Sequence, residues 1–192
     1  MNSVDIRREA TTMMAWPIAC LLALLSVGSV LAADVADLKV RAASGDPNAQ
    51  VNLGIAYRDG HGVARDYPEA VAWFRKAAEK NDAAALDNLG WMYEHGLGTT
   101  ADLARAARYY RASADKGHAQ GQWNLGRMYA ETAWGHYDNT EAARWYRRSA
   151  DAGHVEAQYR LGLAYLQGMG VAADNGLRRR QTTFATAQSP TG

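Results

Sequence analysis

"NLGWMYEHGLG", residues 88–98, decides the fold. In isolation its glycines suggest a phosphate loop, its Glu94-His95 pair suggests acid–base chemistry, and both together suggest a turn. The surrounding chain chooses between these. The Leu-Gly-x-x-Tyr core of the stretch, Leu89-Gly90-Tyr93, returns as Leu53-Gly54-Tyr57, Leu125-Gly126-Tyr129 and Leu161-Gly162-Tyr165, each copy 36 residues after the last. A fixed period of that length marks stacked supersecondary units. A second set of residues runs in the same register: Ala70, Trp73 and Ala78; Ala106, Tyr109 and Ala114; Ala142, Trp145 and Ala150. Both sets follow the three-and-four spacing of one helix face.

Each unit is therefore expected to be two antiparallel helices, a helix A such as 48–58 and a helix B such as 67–79. Asp66, Asp102, Asp138 and Asp174 fall at the helix B start. The pairs Asp66/Glu69 and Asp138/Glu141 have capping-box spacing, which would satisfy free N–H groups at the first turn. "DGHG", "HGLG" and "QGMG" lie between helices, where glycine permits the left-handed conformation of a helix end. Upstream, "DVADLKVRAASGD" (34–46) fits a helix B that lacks its own helix A and would cover the first repeat.

These words resemble the Sel1-like repeat, a relative of the tetratricopeptide repeat. The likeness runs through "AQVNLGIAYRDGHGVARDYPEAVAWFRKAAEKND" and its successors, from Ala49 to about Val171. The resemblance implies an all-α fold, a right-handed α/α superhelical solenoid of about four 36-residue helix-turn-helix repeats. It also implies a scaffold for protein complexes, often in bacterial envelopes or organelle quality control, with no catalytic residues. In the third unit "YAETAWGHYD" puts Thr132 and Trp134 where the glycines belong, so that turn is expected to differ.

The expected organisation is a leader at 1–33, the repeat solenoid at 34–174 and a tail at 175–192. Arg7 and Arg8 precede an apolar run from Met13 to Leu31, followed by small residues. This is the pattern of a signal peptide cleaved near Ala32 or Ala33, which places the protein in the periplasm or outside the cell. The run is close to the minimum that spans a bilayer, so an uncleaved inner-membrane anchor is the alternative, and the membrane is expected as a partner only through it. Cys20, the one cysteine, lies in this leader, which leaves no disulfide in the mature chain. Past Asp174 the Ala/Trp/Ala spacing is absent, with Gln181 where tryptophan would recur, and a polar tail of this kind is expected to be disordered. The fourth helix A then wants a cover. Self-association or a partner there, partial cover by Leu177 to Phe184, and a truncated or disrupted reading frame are the three readings.

A net charge of +1 at pH 7 gives no basic signature, so no nucleic acid is expected. No cofactor is expected either. The glycines at 54, 90, 126 and 162 lie inside helix A, and the Gly-Lys-Ser/Thr of a phosphate loop is missing. The five histidines form no metal-ligand spacing, and His118 and His154 read as solvated turn residues sharing a position with Asp46 and Asp82. Ser113-Ala-Asp-Lys116 matches the Ser-x-x-Lys of penicillin-interacting enzymes, and some secreted, cysteine-rich relatives of the repeat family are linked to β-lactam binding. A cell-wall or β-lactam enzyme using Ser113 is thus an alternative function, but its companion motifs are absent.

The remaining candidates come from a helical wheel. With Leu53 and Tyr57 inward, positions 51, 52, 55 and 58 and their copies face outward on helix A, which lines the concave side of such arrays. The columns read Val51/Asp87/Trp123/Tyr159, Asn52/Asn88/Asn124/Arg160, Ile55/Trp91/Arg127/Leu163 and Arg58/Glu94/Ala130/Leu166. Asn88, Trp91, Trp123, Asn124 and Arg127 are the expected binding residues for a peptide or protein partner, because aromatics, amides and arginine dominate such contacts. The competing reading packs both tryptophans into neighbouring helices. On helix B, Arg75, Arg111 and Arg147 form a row that would meet anionic lipid or polysaccharide, or else be a solvated face paired with nearby carboxylates.

Overall fold

A computed structural model describes residues 35–131 and 135–170. Among the described residues there are eight helices and no strand: α1 (35–43), α2 (Pro47–Asp59), α3 (Tyr67–Glu79), α4 (Ala83–His95), α5 (Leu103–Asp115), α6 (Ala119–Ala130), α7 (Asn139–Asp151) and α8 (Val155–Gln167). Helix A of the four repeats is α2, α4, α6 and α8, and helix B is α3, α5 and α7. The unpaired helix expected upstream is α1. The leader, the tail and the 132–134 turn lie outside the described residues, and with them the cleavage site, the Asp174 cap and the cover by 177–184. No described helix is long and apolar enough to cross a membrane.

The chain divides into two compact units, 1–73 and 74–192, each with its own core. In the first, Val35, Ala42, Ala49 and Leu53 are buried, with Tyr57 and Trp73 packed on them. In the second, Tyr93, Tyr110, Leu125, Met128 and Trp145 form the centre, joined by Ala106, Ala107 and Ala114. The alanines explain how the helices come so close, and two of the three helix A glycines complete the fit, Gly162 facing open space. A Cβ at Gly90 would sit 2.6 Å from the Tyr110 ring, and one at Gly126 would sit 2.7 Å from the Tyr146 ring.

Helix starts follow the sequence with two corrections. Asp102 and Asp138 cap α5 and α7, and the Asp66 carboxylate accepts the Glu69 N–H at 3.0 Å. The reciprocal half of the capping box is not what Glu69 and Glu141 make. Their carboxylates instead accept the indole N–H one turn on, from Trp73 at 2.8 Å and Trp145 at 3.1 Å. The backbone N–H of the capping aspartate goes to the tyrosine that ends the preceding helix A: Asp66 to Tyr57, Asp102 to Tyr93, Asp138 to Tyr129. That bond fixes where helix B begins relative to helix A.

His118 and His154 are also caps rather than solvated turn residues, because ring Nδ1 accepts from Gly121 at 3.3 Å and from Ala157 at 3.4 Å. Each replaces the carboxylate that Asp46 and Asp82 supply in the first two repeats. The glycine-rich turns behave as expected at α2, α4 and α8, which end on left-handed Gly60, Gly96 and Gly168. The third turn departs, with α6 ending on an extended Glu131. Between repeats, Asn81 takes a left-handed φ of 62° where the other units have Gly45, Gly117 and Gly153.

A candidate binding face on α4 and α6

Within the second unit α4 packs directly against α6, whereas α5 and α7 have no comparable contact. Closer spacing on one side bends a helical array toward that side, so helix A lies on the inner layer here. All five expected binding residues belong to α4 and α6.

The wheel placed some of them too far out. Position 51 and its copies were expected to face outward, but Val51 and Asp87 are buried at 7% and 8%, Trp123 is half-buried, and only Tyr159, at 66%, is well exposed. The wheel treats a helix as if alone, whereas within the second unit α6 overlaps this edge of α4. Asn124 is likewise 7% exposed, and its amide donates to Asp87 Oδ1 at 2.9 Å. Burial pushes the Asp87 carboxyl above its ordinary value, and the Asn124 bond works in the opposite direction. An amide donor facing a buried acid is the arrangement that makes such burial tolerable.

Arg127 closes a second bridge between the same helices. One guanidinium nitrogen donates to both oxygens of Glu94, at 2.5 and 2.7 Å, and the other reaches Glu131 at 3.1 Å. Glu94 also accepts the Tyr110 hydroxyl at 2.7 Å. Burial works against the Arg127 charge, but the Glu94 bonds outweigh it and raise the pKa further. Burial, followed by the Glu94 charge, drives the Tyr110 phenol well above its usual range, so it remains a donor. Glu94 is therefore a structural acceptor joining α4, α5 and α6. It has no acid–base pairing with His95, whose ring nitrogen lies 2.9 Å from the Trp91 carbonyl oxygen.

Both tryptophans are half-buried. Trp91 packs against the core and also meets the His95 ring, with centroids 4.5 Å apart. Trp123 lies between Tyr146 at 5.2 Å and His154 at 5.5 Å. His154 Nε2 is 2.9 Å from Gln120 Oε1. Asn88, also half-buried, donates to the Ala84 carbonyl at 2.9 Å. The structure thus brings the five residues onto one inner layer, with Asn124 and Arg127 forming its floor. Sequence reading missed Asp87 and Glu94 as their partners. A signal did exist, since the pairs are separated by 37 and 33 residues, one repeat plus one and one repeat minus three.

The other candidates resolve into structure. Ser113 is fully buried and its hydroxyl donates to the Ala83 carbonyl at 2.7 Å, as Ser149 does to Ala119. A hydroxyl with no exposure and a committed proton is poorly placed to attack a lactam. The arginine row is paired with phenols rather than carboxylates: Arg75 donates to the Tyr93 hydroxyl at 2.8 Å, Arg111 to Tyr129 and Arg147 to Tyr165. Each bond ties a helix B to the next helix A. No group of three or more His, Cys, Asp or Glu among the described residues could hold a metal ion.

Paired helices on a 36-residue period, fastened by repeating cross-links, define an α/α repeat protein whose inner layer carries the variable side chains. The Sel1 repeat model matches four consecutive segments, 47–82, 83–118, 119–154 and 155–177, and the chain belongs to that family. Sel1 repeats generally act as non-catalytic scaffolds for protein–protein interaction. Among solved structures, c5321, a protective antigen present in uropathogenic Escherichia coli strains and displaying an SLR fold, is 36% identical with a TM-score of 0.70. A Sel1 repeat protein from Oxalobacter formigenes is 34% identical with a TM-score of 0.65. The matches cover 74% and 68% of this chain but only 31% and 54% of those proteins. No curated protein matches the chain.

Proposed function

We propose that the protein is an exported, non-catalytic adaptor that holds a peptide or a segment of a partner protein against the inner face of α4 and α6. The observation that carries this reading is the pair of cross-links, buried Asp87 to Asn124 and half-buried Glu94 to Arg127, which set the face in one geometry before any partner arrives. Preorganised side chains lose less freedom on binding. Asn88, Trp91 and Trp123 then supply contact area and amide groups, while buried Asn124 and half-buried Arg127 hold the floor beneath them. Export rests on the leader at 1–33, with cleavage near Ala32 or Ala33 or retention as an inner-membrane anchor.

Pull-downs from envelope extract test the face. Trp91→Ala combined with Asn88→Lys should lose partners that the wild type retains, with helicity by circular dichroism unchanged. Identical partner sets would overturn the assignment. Fractionation of the full-length protein tests export, since a mature species shortened by about the leader is expected outside the cytoplasm.

A further inference from the structure

On the opposite layer, one charge of the second repeat is reversed relative to its neighbours. The position that holds Glu69 in the first repeat and Glu141 in the third holds Arg105 in the second. Where those glutamates accept a tryptophan indole, Arg105 turns to Tyr93, its guanidinium 4.8 Å from the ring centroid and one nitrogen 3.2 Å from the hydroxyl. Arg75 donates to the same hydroxyl at 2.8 Å. Two guanidinium groups therefore converge on one neutral oxygen. They line a cavity of about 380 Å³ together with Gly98, Thr99, Thr100, Ala101 and Asp102.

We propose that Arg75 and Arg105, with the Tyr93 hydroxyl and the 98–101 turn, form a binding site for an oxyanion, a phosphate or sulfate group. The charge balance supports this assignment. Asp102 is the one carboxylate in the lining, 3.4 Å from Arg105, and its other oxygen is occupied by the Arg105 backbone N–H at 2.8 Å. One acid against two guanidiniums leaves the cavity cationic, and planar guanidinium forks match tetrahedral oxyanions geometrically. The turn reads Thr99-Thr100 where the first repeat has Val63-Ala64, so two threonines line the cavity, the Thr99 hydroxyl donating to the Met92 carbonyl at 3.4 Å. Tyr93 reports the field: burial raises its phenol, but the bonds from Arg105 and Arg75 overcome this and hold it below its ordinary value. The site lies on the helix B side and does not rest on the partner reading above.

Titration calorimetry of the full chain with inorganic phosphate at constant ionic strength tests the site. One saturable event is expected, with sulfate competing and chloride inert. Arg105→Glu, which installs the acid found in the other two repeats, should weaken it at least tenfold, while Arg144→Ala, outside the cavity, should leave it unchanged. Glycerol phosphate as a parallel titrant separates a free ion from an esterified group by whichever binds more tightly. In ring-labelled protein, ¹³C NMR should show the Tyr93 phenol titrating at higher pH once phosphate is bound. No saturable heat in the wild type, equal binding by Arg105→Glu, or equal loss in Arg144→Ala would each overturn the proposal.

Discussion

The inner and outer layers of the second unit solve one problem in two ways. On the inner layer α4 and α6 touch, and their cross-links are buried or half-buried, differ from repeat to repeat, and include in Asp87 an acid whose pKa burial raises. On the outer layer the fastening is an arginine reaching the next repeat's tyrosine, and it recurs three times at a constant offset of 18 residues. Periodic contacts assemble the array. Contacts that break the period give one stretch of it an identity.

Several substitutions press on that contrast. The largest effect is expected from Glu94→Ala, which removes the main acceptor of Arg127 and of the Tyr110 hydroxyl together. Breaking a buried pair typically costs 3–5 kcal/mol, and the partial exposure of these side chains reduces the expected loss to about 2–3 kcal/mol in a urea melt. Asp87→Asn should raise stability at neutral pH, because burial raises the folded-state pKa of Asp87. A raised acid contributes stability below its unfolded value and loses it as pH rises through the folded one, so the mutant's advantage should fade as pH drops into the carboxylate range. Thermal melts from pH 3 to 8 read this directly. An advantage that grew on acidification would contradict it.

Smaller changes are expected on the outer layer and in the turns. Arg111→Ala removes one periodic fastening at a partly exposed site and should cost only about 0.5–1 kcal/mol. A loss as large as that of Glu94→Ala would erase the distinction between the layers. Asn81→Gly should stabilise by a few tenths to about 1 kcal/mol, since it relieves a left-handed asparagine where the other turns use glycine.

The same contrast explains what could be read from sequence. Leu89, Gly90, Tyr93 and Ser113 were legible because three or four copies repeat the same environment, and the helices and the left-handed glycines that end α2, α4 and α8 followed from them. The floor of the inner face was not legible. Asn124 and Arg127 were read only as partner-binding residues and not as cross-links, because Asp87 and Glu94 have no copies and the pairing depends on how far α6 overlaps α4. The capping glutamates were misassigned for a related reason. The box spacing was correct, but an indole one turn further on competed for the same carboxylate.

The central claim is that the inner layer, and not the outer, meets the partner. Site-specific photocrosslinking in extract of the source cells, with p-benzoylphenylalanine at position 91 in one preparation and at exposed position 108 in another, tests it most directly. The account predicts a discrete adduct from position 91 and none from position 108. Adducts confined to position 108 would contradict it.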